Sequence, residues 1–200
     1  MVFEGGEGSG KSTQARRLAE RRREVHDVML TREPGGTPVG VRMREILLDP
    51  DSDDVHPRAE ALLMAADRAH HVATKIGPAL ASGRDVISDR FMASSMAYQG
   101  AARGLGEELV RDISLFAVDG LTPDLTILVD VPVAIGRERA GHRGALDKLE
   151  QEQDDFHETV RAAFLSFAES DDSWVIVDGT LSEDEVATLI DKAVAEKLGW

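Results

Sequence analysis

Residues 1–14 read MVFEGGEGSGKSTQ, and this stretch decides the fold. Gly5, four further residues, Gly10, Lys11 and Ser12 match G-x-x-x-x-G-K-[ST], the pattern of a phosphate-binding loop, or P-loop. A polyphosphate needs several donors converging on a small volume. Backbone N–H groups supply them where the chain curls inward, with the positive φ and close approach to ligand that glycine permits. Gly5, Gly6, Glu7, Gly8, Ser9, Gly10, Lys11, Ser12 and Thr13 therefore form the candidate phosphate-binding segment. Lys11 is suited to the β- and γ-phosphates of a nucleoside triphosphate, and Ser12 to a Mg²⁺ ion. The helix that begins there points its positive end at the anion. Apolar MVF predicts a strand before the loop, and KSTQARRLAERRREV a helix after it.

Outward from the loop, four more apolar runs recur: VHDVMLTRE, DVISDR, DLTILVDV and WVIVDG. Amphipathic stretches separate them. Strands alternating with helices imply right-handed crossovers and a parallel sheet. The predicted fold is α/β, a three-layer α/β/α P-loop NTPase with a five-stranded parallel sheet covered by helices on both faces. Ligands bind such sheets at the carboxyl ends of the strands, where Gly5, Glu33, Asp89, Arg90 and Asp178 all fall. These residues are expected around one crevice. The first run is short for a strand, as in a central strand cut at its start or a start residue set inside the true one. Neither a repeat nor a Pro-, Gly- or Ser-rich linker divides the chain, which predicts one domain over residues 1–200.

Two hundred residues with 42% hydrophobic content suffice for a proper core. No apolar run approaches the ~18 residues of a membrane span, and the start lacks a charged-then-apolar leader. With no cysteine there are neither disulfides nor thiolate metal sites, which fits a reducing cytoplasm. A net charge of −14 argues against nucleic acid as a partner. An anionic nucleotide must then be held by local positive charge. The acidic clusters DPDSDD, EQEQDD and AESDD are read as solvated helix ends and loops, and the His70–His71 pair as structural or surface, because metal ligation needs more ligands of defined geometry.

The segment VISDRFMASSMAYQG places Asp89 near Mg²⁺ and Arg90 near a phosphate, a task that suits the planar guanidinium fork. Further on, GRERAGHRGALDKLE sets Arg137, Arg139 and Arg143 on a glycine-interrupted segment, about 137–150. Arginines there could close over a transferring phosphate as a lid. Taken alone they fit a solvated helix face beside Glu138 equally well.

The chain resembles the bacterial thymidylate kinases, in particular the branch with its catalytic arginines in the lid. The resemblance rests on FEGGEGSGKSTQ, TREPGGTPVG, EALLMAADRAHH, SDRFMASSMAYQG, LDKLEQEQDDF and the late VDG, in that order. It implies ATP-dependent phosphorylation of dTMP to dTDP with Mg²⁺, and a homodimer formed through helices beside the sheet. It places Glu7 near the deoxyribose and the phosphoacceptor, Arg90 on the acceptor phosphate, and Arg139 and Arg143 among the lid arginines. Arg68 matches the residue that bonds the thymine carbonyl, and Ser95 and Gln99 fall where relatives touch base or acceptor. Tyr98 matches the aromatic beneath the sugar that crowds a ribose 2′-hydroxyl. Glu33 and Pro34, the latter often preceded by a cis peptide, complete the dTMP set, and Asp178 falls beside the adenine site. The chain departs from the family at Met64, where relatives stack phenylalanine on thymine, at Gly141, where they often carry arginine, and at Phe164, where some carry tyrosine.

A kinase for another nucleoside monophosphate would share the loop and lid but need a different acceptor pocket. A nucleotide-operated switch that reads GTP would carry N-K-x-D, which this sequence lacks.

Overall fold

The computed structural model describes all residues except 52–54 and 143–145. Arg143 and part of DPDSDD thus lie outside the described residues. The strands are β1 Val2–Glu4, β2 Val28–Arg32, β3 Asp85–Asp89, β4 Thr126–Asp130 and β5 Trp174–Asp178. They form one parallel sheet in the order β2-β3-β1-β4-β5. The phosphate loop therefore leaves the central strand, whose three residues are all buried.

Side chains alternate strictly across the sheet, as the two-residue strand period demands. Phe3, Ile87, Ile127 and Val129 face helices α1 (Lys11–Arg22) and α9 (Glu183–Leu198), meeting Leu18, Val186 and Ile190. Their neighbours Val2 and Val86 face the other way, onto Ile76, Ala79 and Val118. Leu128 meets Ala97, Val160 and Phe164. Phe3, Ile87, Ile127 and Ile190 are fully buried. Full burial of a side chain of this size is worth about 1.5–3 kcal/mol.

Helices α2 (Pro38–Leu48) and α3 (Pro57–His71) follow β2, each with proline in its first turn. Thr37 Oγ1 accepts from Gly40 N at 3.0 Å and caps α2. After β3 come α5 (Met92–Ser95), a π-helical turn Met96–Ala102, and α6 (Glu107–Val118). Helix α7 (Val133–Gly141) begins just past β4, and α8 (Asp154–Ser170) packs beneath the sheet beside the π-helical turn. A second π-helical turn, Val72–Ile76, extends α3 into α4 (Gly77–Ala81). No helix among the described residues is long and apolar enough to cross a membrane.

Candidate active site

Strand register sets the site. Arg32 pairs with Asp89, Phe3 with Asp89 and Ile127, and Asp130 with Asp178, so the carboxyl ends lie nearly level around the phosphate loop. The loop has positive φ at Gly5, Gly8 and Gly10, and Gly10 starts α1 with no side chain capping its first amides. Those amides are thus available to an anion.

Two spaces open on either side of the loop. The first is a cavity of about 230 Å³. It gathers all eight residues expected for dTMP: Glu33, Pro34, Met64, Arg68, Arg90, Ser95, Tyr98 and Gln99. Glu7, Asp89, Lys11 and Ser12 line it too. The second is a groove of about 500 Å³ lined by Gly8, Ser9, Gly10, Lys11, Ser12 and Thr13, with Arg139 opposite. Lys11 and Ser12 border both. Gly5 and Gly6 line neither, but their carbonyls accept from Arg90 Nη1 at 3.2 Å and Lys11 Nζ at 3.1 Å. Asp178 does not join the crevice: it is exposed, and Thr180 N and Oγ1 occupy its Oδ1 at 2.8 and 2.6 Å. The groove reaches this strand end through Gly179, Leu181 and Ser182 instead.

Arg90 lines the cavity in a left-handed conformation, φ 70°, a strained state for a residue with a side chain. Its surroundings hold it there. Arg90 Nη2 donates to Glu7 Oε1 at 2.6 Å and to Tyr98 Oη at 3.2 Å, and Tyr98 Oη donates to Glu7 Oε1 at 2.8 Å. Burial works against the Arg90 charge, but Tyr98, Glu7, Glu4 and Asp89 outweigh it and raise the guanidinium pKa further. Burial also pushes the Tyr98 phenol well above its usual value; Arg90 opposes the shift and Glu7 adds to it. Tyr98 therefore acts as a donor, not a phenolate.

Glu4, which the sequence reading passed over, fixes this corner from below. It is fully buried, and its carboxylate accepts from Phe91 N at 2.9 Å, Ser94 N at 3.2 Å and Ser94 Oγ at 2.6 Å. Burial raises its pKa against the pull of Arg90, Ser94 and Phe91. Arg32 and Arg44, two more cations on the first cavity, were missed as well. Arg44 Nη1 donates to Pro34 O at 3.3 Å, and burial, with Arg32 nearby, lowers its pKa. An anion between them would relieve both effects.

Behind Gln99, which lines the cavity, runs a connected polar network. Gln99 Nε2 donates to Glu60 Oε1 at 2.8 Å, Arg103 Nη2 reaches Glu60 Oε2 at 3.3 Å, and Arg103 Nη1 pairs with Glu152 Oε1 at 2.5 Å. Arg137 Nη1 donates to Glu152 O at 2.9 Å and pairs with Asp154. The EQEQDD cluster is therefore only partly solvated, since Glu152 ties the return of the arginine segment to the π-helical turn. Arg139 Nη1 donates to Gly179 O at 2.8 Å across the groove. Met64 packs with Leu47 and Leu48 at the cavity edge, and Phe164 lies edge-on to Tyr98 at 6.3 Å. The Glu33–Pro34 peptide is cis. His71 is wholly buried and His70 half-buried.

The residues present fit a magnesium ion shared with phosphates. Asp89 Oδ1 is buried without a hydrogen-bond partner among the described residues, and it shares the cavity lining with the exposed Ser12. Magnesium is commonly held by one or two protein oxygens plus substrate phosphates. Among the described residues no cluster of three or more His, Asp or Glu could hold a metal by itself.

Comparison with known proteins agrees with this geometry. A family model described as thymidylate kinase matches residues 3–190. A thymidylate kinase of Deinococcus radiodurans is 46% identical, covering 98% of this chain and 96% of its own. One from Leifsonia xyli is 48% identical over 95% and 91%. The crystal structure of a thymidylate kinase from Ehrlichia chaffeensis superposes with a TM-score of 0.79 at 29% identity, covering 96% of each chain. The chain belongs to the thymidylate kinase family, nucleoside monophosphate kinases that phosphorylate dTMP to dTDP.

Proposed function

We propose that the cavity beside Arg90 binds dTMP, that the groove beside Arg139 binds ATP, and that the γ-phosphoryl group passes between them at Lys11 and Ser12. The supporting observation is that these two residues border both spaces. An oxygen of the dTMP phosphate bonds to the γ-phosphorus as the bond to the β–γ bridging oxygen breaks, giving dTDP and ADP. The acceptor is already ionised, so no general base is needed. Lys11 and Arg90 align the two phosphates and offset the charge that spreads over the transferring oxygens. When bound, Mg²⁺ neutralises phosphate charge, with Ser12 Oγ and Asp89 as its protein ligands.

Arg68, Ser95 and Gln99 face the thymine edge, Met64 its ring face, and Tyr98 the sugar, with Glu33 and Pro34 shaping the floor. Glu7 positions Arg90 and meets the sugar side of the acceptor. Arg139 and Arg143 supply lid charge, within a single kinase domain whose lid spans about 137–150. The protein works in the cytoplasm as a homodimer: α2, α3 and α6 pack side by side and expose Ile46, Leu62, Leu109 and Phe116, the last 89% exposed.

The deciding measurement is ADP formation with Mg·ATP and dTMP, dUMP, the ribose analogue of dTMP, AMP or no acceptor. Turnover dependent on dTMP and a requirement for Mg²⁺ that Asp89→Asn weakens are expected. Equal ATP loss with every acceptor would sink the site assignment.

A further inference from the structure

His71 closes α3 behind the acceptor cavity and does not line it. It is 0% exposed, wedged between β2 and the turn that follows. Its Nδ1 lies 2.9 Å from Glu33 Oε1, and its Nε2 2.7 Å from Thr31 Oγ1. The second oxygen of Glu33 accepts from Arg68 Nε at 2.8 Å. One carboxylate thus joins the imidazole to a guanidinium that does border the cavity. Arg68 also donates to Ser114 Oγ at 3.3 Å, and to Phe91 O and Ser95 Oγ, each at 3.1 Å. With Glu33 these bonds engage all but one of the five N–H donors of an arginine, the remaining one on Nη1.

We propose that His71 is a positioning residue for recognition of the dTMP base: it orients Glu33, and Glu33 in turn fixes the guanidinium plane of Arg68. The proposal rests on the reading of this cavity as the acceptor site. A carboxylate oxygen accepts, so His71 Nδ1 is the donor to Glu33 Oε1, while Nε2 and the Thr31 hydroxyl share the hydrogen bond on the other side of the ring. Sterics lock the same orientation. A Cβ on Gly36 would overlap the ring, so only glycine at that position leaves the imidazole its place. Lys75 Nζ holds the turn by donating to Gly36 O at 2.7 Å, and Asp67 Oδ1 accepts from Gly35 N at 3.3 Å on its other side. A guanidinium left with one unused donor gains its selectivity from the direction of that donor, which is what a relay of this kind controls.

Amide isosteres separate this role from ordinary core packing. In His71→Asn the amide nitrogen overlays Nδ1 and keeps the bond to Glu33. In His71→Gln it overlays Nε2 and leaves Glu33 without its partner. We expect KM for dTMP to stay within about threefold in His71→Asn and to rise about tenfold in His71→Gln, the scale of one lost hydrogen bond to a charged group. KM for ATP and kcat should hardly move in either. Equal effects of the two variants, or parallel changes in kcat and both KM values, would overturn the relay. Should His71→Gln fail to fold by thermal melting, Thr31→Val carries the test: a several-fold rise in KM for dTMP is expected, and no rise overturns the proposal. Arg68→Met is the control for the underlying reading. If it leaves KM for dTMP unchanged, the acceptor-site assignment falls; if it raises KM while His71→Gln does not, the relay alone falls.

Discussion

Gly8 of the phosphate loop and Gly136 of α7 pack backbone to backbone, so that a Cβ on Gly8 would overlap Gly136 O and one on Gly136 would overlap Glu7 O. Both contacts are with backbone atoms, which cannot swing aside as the end of a flexible side chain can. The glycine-rich loop is therefore seated on the first turns of the helix that carries Arg137 and Arg139. Gly136→Ala should displace the loop, raising KM for ATP at least tenfold and lowering the melting temperature. Gly141→Ala, where a Cβ meets nothing within 4 Å, should leave both near wild type. Steady-state kinetics and thermal melts of the pair check this; identical behaviour would show that the close seat is dispensable.

Lys11 is a buried cation whose Nζ donates to Gly6 O at 3.1 Å. Burial lowers its pKa below the usual 10.5, Arg90 adds to the shift, and Glu7, Asp89 and Glu4 oppose it. Between the lowered folded value and the unfolded one, the unfolded chain binds more protons, so stability rises with pH across that window. Below it, the charge is retained in the fold at a cost. Lys11→Met should abolish ATP binding, leave the nucleotide-free protein at least as stable at pH 7, and flatten the alkaline rise. Urea melts at several pH values, with and without Mg·ATP, give the comparison; a nucleotide-free variant much less stable at pH 7 would contradict it.

Tyr98 combines a ring and a hydroxyl with separable tasks. The ring packs edge-on to Phe156 and Phe164, at 6.0 and 6.3 Å, while the hydroxyl joins Glu7 to Arg90. Tyr98→Phe should lower kcat about tenfold, as expected for a buried hydrogen bond to charged partners, and keep preference for deoxyribose. Tyr98→Ala should lose that preference. The ratio of kcat/KM for dTMP and its ribose analogue reports both, and an alanine variant that still rejects ribose would remove Tyr98 from sugar selection.

Met64 is 8% exposed and belongs at once to the Leu47–Leu48 cluster and the cavity lining. A methionine sulfur against an aromatic ring is worth about 0.3–1.5 kcal/mol, so Met64→Ala should raise KM for dTMP roughly 2- to 12-fold. An unchanged KM with a lowered melting temperature would assign Met64 to the core alone.

Much of this site is legible in the sequence because its signals are local. The glycine spacing, the strand-end position of Asp89–Arg90 and the order of the motifs anticipate eight residues that line one cavity. What escaped depends on register and through-space contact. Glu4 looks like an ordinary strand end, and only the β1–β3 pairing places its carboxylate under Phe91 and Ser94. The π-helical turn at Met96–Ala102 leaves no compositional mark, yet it directs Tyr98 toward Glu7 and Gln99 toward Glu60. Asp178 shows the converse: it stands at the end of β5, but its Oδ1 is taken by Thr180 and it lines neither space.

The contact of the two spaces only at Lys11 and Ser12, among the described residues, has a kinetic meaning. On the proposed assignment each nucleotide has its own doorway, so neither is expected to wait for the other to arrive or depart. Direct transfer between the two proposed sites then requires both substrates to be bound together. The expected initial-rate pattern is intersecting lines, without a phosphorylated protein as a resting stage, and a single molecule with a thymidine at one end and an adenosine at the other would occupy both doorways at once.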